Sequence, residues 1–143
     1  MNTLHLVRVI AAIFVSIALG ACASGPPTGP GSTSSPYIIT INFASAASCT
    51  INSVSAALPA CSSGPDQCVG QNEFIQWESN PGGIKYEIYF DPIKGAPLKS
   101  GGNGVLKRKI DDDAPYALYK YSILKDGCDP TADVFDPRFR VDH

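Results

Sequence analysis

The chain has 143 residues, 44% of them hydrophobic, with 11 Lys and Arg against 13 Asp and Glu and a net charge of −2. A mildly acidic chain of this length holds one small domain and carries no basic stripe to draw it to nucleic acid. Its two histidines, His5 and His143, sit near the two chain ends, so neither a blue-copper ligand set nor a Ser-His-Asp triad has imidazoles inside an ordered element.

Arg8 is the one full positive charge ahead of an apolar run from Val9 to Leu19, and the small residues Gly20 and Ala21 follow. Positive, apolar, small is the order of a secretory signal peptide. The run falls short of the roughly 20 apolar residues that span a bilayer, so cleavage is expected rather than a retained helix. The tetrad Leu19-Gly20-Ala21-Cys22 resembles the lipobox of bacterial lipoproteins. That resemblance implies removal of residues 1–21 and a covalent lipid on Cys22, with diacylglycerol and palmitate as the expected groups. Ala23 stands where that family carries Asp for inner-membrane retention, which implies an outer-membrane anchor with the periplasmic side as the expected face. Each buried CH₂ contributes about 0.8 kcal/mol, so several acyl chains hold durably where one is marginal. Without residues 1–21 only Arg8 is lost from the charge count, which leaves 10 Lys and Arg against 13 Asp and Glu, a net charge of −3.

Residues 23–36 are Gly, Pro, Ser and Thr with one alanine and no charge. Such a stretch buries too little to repay the entropy of ordering and reads as a tether. With Cys22 it fills residues 22–36, and it is expected to reach roughly 20 Å as a coil or about 43 Å as polyproline II. The domain proper is expected over residues 37–143.

From Tyr37 the pattern changes to period two. Ile39, Ile41 and Phe43 alternate with Thr40 and Asn42, and Ile84, Tyr86, Ile88 and Phe90 alternate with Lys85 and Glu87, as half-buried strands require. Residues 73–78, 116–124 and 138–142 read the same way. Asn80-Pro81-Gly82-Gly83 carries turn chemistry and is expected to close a hairpin. Phe-Asp-Pro occurs at residues 90–92 and again at 135–137, and is taken as one turn device used twice. The best helical candidate, Val54 to Ala60, is interrupted by Pro59 and rich in β-compatible residues. Short strands separated by Gly and Pro point to an all-β sandwich.

Five cysteines are an odd number for an exported chain. Lipidation of Cys22 leaves Cys49, Cys61, Cys68 and Cys128, which an oxidising compartment favours as disulfides over a metal site. Three pairings are possible. Cys61–Cys68 with Cys49–Cys128 is preferred, because the first pair staples a short turn. A Cys₄ zinc site ranks below disulfides, since Cys61 and Cys68 lack the close spacing of structural zinc ligands.

The stretch Tyr119-Lys120-Tyr121-Ser122-Ile123, with Arg138 to Val141 as a closing strand, resembles the end of a cupredoxin-like domain. The resemblance covers about residues 73–142 and implies a cupredoxin-like or Ig-like β-sandwich stapled by disulfides. Ile123 stands where that family has its copper-binding cysteine, and residues 124–137 contain neither His nor Met. A metal-free version of the fold is what the residues imply.

No catalytic set emerges. Ser122-Ile123-Leu124-Lys125 has the Ser-x-x-Lys form but lacks the Ser-Asp-Asn and Lys-Thr-Gly elements that make it work. Glu73, Glu78, Glu87 and the aspartates offer no pair that spacing brings together for glycoside hydrolysis. Asp111, Asp112 and Asp113 are weak candidates for calcium, without the spacing or distal Glu of an EF-hand loop. Lys107-Arg108-Lys109 balances them and suits an exposed edge that must refuse other strands.

The leading expectation is therefore a tethered periplasmic module that binds or supports rather than catalyses, with no cofactor beyond its lipid. The alternatives are an accessory subunit or inhibitor that meets a protein partner through a sheet edge or the 92–104 loop, and a calcium-binding module.

Overall fold

The computed structural model describes residues 29–62, 66–91, 96–131 and 134–142. The leader, Cys22 and the first part of the tether lie outside these residues. Nine strands and no helix make up the described chain: β1 Tyr37–Phe43, β2 Ile51–Ala56, β3 Cys68–Gly70, β4 Phe74–Asn80, β5 Tyr86–Asp91, β6 Leu98–Lys99, β7 Val105–Lys109, β8 Leu118–Lys125 and β9 Arg138–Asp142. They form two sheets, one ordered β2-β1-β4-β7 and the other β3-β9-β8-β5-β6. The molecule is a small β-sandwich stapled by disulfides.

Period-two sequence produces the core directly. Ile39, Ile41 and Phe43 of β1 and Ile75 and Trp77 of β4 face inward from one sheet, against Tyr86, Ile88, Tyr121, Ile123, Phe139 and Val141 of the other, all buried. Aromatic edges join the two layers. Trp77 meets Phe90 at 6.0 Å and Tyr121 at 5.9 Å between ring centroids, both edge-on. Edge-to-face contacts of this kind add about 0.5–1.5 kcal/mol beyond area burial.

Asn80 to Gly83 do not close a hairpin. Strands β4 and β5 belong to different sheets, so the connection arches across the sandwich. Strand β4 pairs with β1 in parallel and with β7 antiparallel, while β5 pairs with β6 and β8. Both strands carry a row of large apolar side chains, and facing layers bury two such rows against each other. The two Phe-Asp-Pro stretches also diverge. Phe90 and Asp91 are strand residues beside Tyr121 and Lys120 of β8, whereas Phe135 bridges Ile123 on the other side of β8 and Asp136 accepts a hydrogen bond from Ser122 Oγ at 2.6 Å.

Residues 29–36, expected within the tether, are folded onto the domain. Ser32 is buried, Ser32 N donates to Gly29 O at 3.1 Å, and Phe74 N donates to Gly31 O at 2.6 Å. Lys107 Nζ reaches Thr33 O. Gly31 has φ +84°, and a Cβ there would lie 2.6 Å from a ring carbon of Tyr37; glycine fits that conformation and that gap. The loop is held through its own backbone carbonyls, by Phe74 N and Lys107 Nζ from distant parts of the chain, which is why composition hid it.

Disulfides join Cys49 to Cys128 and Cys61 to Cys68. The first ties the β1–β2 connection to the turn after β8, hence one sheet to the other. Lys125 Nζ reinforces that tie by donating to Ala46 O at 2.7 Å and Ser48 O at 2.8 Å.

Buried phenols set an alkaline limit on the fold. Burial pushes Tyr121 from its ordinary 10.0 up to about 12, and burial with the neighbouring Glu78 pushes Tyr86 upward as well. A phenol whose folded pKa is raised contributes stability that is present below its unfolded pKa and lost as pH climbs through the folded one. Melting temperature should therefore hold up to the usual phenol range near 10.0 and fall toward about 12. Phenolate absorbance should rise in a late step that coincides with unfolding; ionisation of every tyrosine near 10.0 with the fold intact would refute this.

Candidate functional site

The chain enters the domain at one end of the sandwich, and the connections there build a groove. Phe74 at the start of β4 pairs with Lys109 at the end of β7, and Gly31 bonds to Phe74. Ile110 N donates to Glu73 O and Asn72 N to Ile110 O, at 2.8 and 2.9 Å. Residues 110–117 then carry the chain from the four-stranded sheet to β8. The sheets do not close on each other along this side, and a groove of about 590 Å³ opens between the end of β7 and the β5–β6 edge.

Its floor is core: Ile88, Tyr119, Phe139 and Val141. Its walls are half-exposed or exposed apolar residues, Phe90, Leu98, Ala114, Pro115, Ala117 and Leu118. A pocket of this volume with an apolar lining and few polar groups is the form that small-molecule sites take. The wall is fixed before any ligand arrives. Tyr119 Oη donates to Pro115 O at 3.0 Å, Ala114 N to Asp111 O at 3.2 Å and Gln71 Nε2 to Ala114 O at 2.9 Å. Tyr116 Oη donates to the same amide, at Gln71 Oε1, at 3.0 Å.

Four charged residues contribute to the groove lining, Arg108, Lys109, Asp111 and Asp113, although Lys109, opposite Phe74 in the register, falls on the outer face of its sheet while Arg108 shares the inner face with Ile75. Arg108 Nη2 pairs with Asp111 Oδ2 at 3.4 Å, an exposed pair worth at most about 1 kcal/mol. Among the described residues Lys109 and Asp113 make no ion pair. Asp112 is not part of the groove lining and is exposed. The three aspartates do not gather into a ligand set among the described residues, because they follow one another around a solvated turn. The one close group of metal-ligating side chains there is Cys61, Cys68 and Asp142, and both of its sulfurs are held in their disulfide.

A second, more polar cleft of about 630 Å³ lies near the same end, lined by Tyr37, Gly70, Glu73, Tyr116 and Asp142 among others. Glu73 is a structural anchor in it. Its carboxylate accepts from Gly70 N at 2.5 Å and Tyr37 Oη at 3.3 Å, and it lies beside Gly31. Desolvation, then Glu73, holds the Tyr37 phenol above its usual range.

The sequence-predicted positions fall apart from one another. Ser122 and Lys125 sit on β8, where Ser122 bonds Asp136 and Lys125 bonds the Ala46–Ser48 loop. Glu78 and Glu73 lie on or beside β4, and Glu87 is paired with Lys99 at 2.5 Å on the other sheet. Ile123 is buried in the core. Sequence reasoning missed the groove, whose lining residues come from four separate stretches and have no common motif. No protein-family model, curated protein or solved structure matches the chain.

Proposed function

We propose that the chain is an outer-membrane lipoprotein, acylated at Cys22 and facing the periplasm, whose β-sandwich binds a small apolar or amphipathic ligand in the groove beside Leu98. The observation that carries this reading is the groove itself, apolar inside, charged at its rim and with a wall fixed by hydrogen bonds from Tyr119 Oη, Gln71 Nε2 and Ala114 N. The leader and Leu19-Gly20-Ala21-Cys22 support the anchor. Binding rather than catalysis fits a groove whose polar groups lie at the rim and whose floor offers no nucleophile beside a base.

A second reading is a subunit or inhibitor docked through a sheet edge, and β2 is the observation that favours it. Ile51-Asn52-Ser53-Val54-Ser55-Ala56 forms an edge strand without a charge or proline. The opposite edge, β7, carries Lys107, Arg108 and Lys109, and such charges discourage strand addition. The 92–104 loop suits docking less, since Leu98 and Lys99 already pair with β5.

Photolabelling of the membrane-bound protein with an apolar diazirine probe tests the leading reading. Crosslinks should concentrate on peptides containing Leu98 and Ala117–Tyr119, and Leu98→Asp should reduce them about tenfold, or about 1.4 kcal/mol. Labelling spread evenly over the surface, unchanged by Leu98→Asp in a protein that melts normally, would leave the groove without a role.

A further inference from the structure

Each of the two sheets has two edges, and three of the four are poor templates for another strand. β3 is three residues long and β6 two, while β7 carries Lys107, Arg108 and Lys109, charges that discourage strand addition. β2 differs from them all, with six residues, no charge and no proline.

The register of β1 with β2 shows which backbone groups this edge offers. Ala57 N donates to Ile38 O, and bonded and non-bonded pairs alternate along an antiparallel ladder. Thr40–Ser55 and Asn42–Ser53 are therefore the bonded pairs, and Val54 and Ala56 turn their N–H and C=O groups away from β1. Ala56 O is taken by Gln67 Nε2 at 3.3 Å. Val54, near the middle of the strand, is left with both of its backbone groups directed outward at the sheet edge.

Side chains at the same place lack a neighbour on that side. Val54 and Ala56, opposite Ile41 and Ile39, border the core on the inner face and are only half-buried. On the outer face Asn80 Nδ2 donates to Asn42 Oδ1 at 2.8 Å, and Asn42 Nδ2 donates to Ser53 Oγ at 3.1 Å. This chain of bonds crosses three strands and ends at the edge on an exposed hydroxyl, which has accepted one bond and has its own proton to give.

We propose that β2 pairs antiparallel with β2 of a second copy of this chain, about a two-fold axis through Val54, so that two four-stranded sheets become one continuous sheet. An isologous contact of this kind requires a self-complementary patch, and β2 supplies one. Each Val54 exchanges N–H and C=O with the other Val54, and the two half-buried side chains cover each other. Ser53 falls opposite Ser55 of the second copy, where its hydroxyl proton meets an acceptor. No charge on β2 stands against its like across the axis. This rests on the sheet-edge reading given above and adds to it the identity of the partner.

Pairing of one short edge makes a small and therefore weak interface, so covalent trapping of the full chain in intact cells is the measurement. Two differently tagged forms are co-expressed, one with a benzophenone side chain in place of Asn52, which is exposed. Light should join the two tags, and the crosslink should map to the Ile51–Leu58 peptide of the other copy. Ser53→Lys/Ser55→Lys in both forms sets lysines opposite lysines on the exposed face and should lower the yield about tenfold through like-charge repulsion. Combining that variant with Ser53→Glu/Ser55→Glu in the other form should restore it, with both variants melting as wild type. A yield unchanged by the lysines, or not restored by the glutamates, overturns the β2–β2 contact. Crosslinks from Asn52 that reach a different protein and never a second copy overturn the choice of partner and leave sheet-edge docking standing. Absence of any crosslink from this position overturns both.

Discussion

Replacing Cys22 by Ser is expected to reduce incorporation of labelled palmitate to background, because acylation of a lipobox consumes the thiol and serine offers none. The effect should be all or none. Lipidation would also account for the odd cysteine, since the other four are joined as Cys49–Cys128 and Cys61–Cys68. Incorporation of label is the deciding measurement, as the apolar run from Val9 to Leu19 can hold an uncleaved precursor at a membrane by itself. A wild-type chain that never takes up palmitate, or a Cys22→Ser chain labelled as strongly as wild type, refutes the lipoprotein reading. The β-sandwich and its groove would stand.

Loss of the Cys49–Cys128 bond should be the most damaging change to the folded domain. The two cysteines are 79 positions apart, against 7 for Cys61 and Cys68. By loop-closure entropy the long bridge contributes about 4.5 kcal/mol and the short one about 2.5 kcal/mol. The larger figure is comparable to the whole stability of many domains of this size. The structure adds a reason beyond loop length, because this bond clamps the β1–β2 connection to the end of β8 across the two sheets. Lys125, whose ammonium bonds Ala46 O and Ser48 O, should keep part of that contact in the Cys49→Ser/Cys128→Ser protein. Denaturant melts of the two double-serine variants measure the ranking. Equal losses, or a greater loss from Cys61→Ser/Cys68→Ser, would show that the short bridge near the groove end dominates.

Much of this protein is legible in its sequence for one physical reason: side-chain alternation is a local property. Ile39, Ile41 and Phe43, or Ile84, Tyr86 and Ile88, declare their inward face without reference to any partner, because successive strand residues point to opposite sides. The count and spacing of the cysteines and the balance of charge around Lys107–Lys109 are equally local, and the strand class, the disulfides and the charged β7 edge follow from them. Partnership between strands is not local. That Asn80–Gly83 arches between sheets rather than closing a hairpin depends on β4 finding β1 and β7, both of them 25 or more residues away along the chain. The loop at 29–36 escaped for a related reason, since its anchors are the backbone of Phe74 and the side chain of Lys107, invisible in a run of Gly, Pro and Ser. The groove is the extreme case. Leu98, Phe90, Ala114 and Leu118 line one groove only because two sheets packed through Trp77 and Tyr121 leave one corner open, and no spacing along the chain encodes a gap between layers.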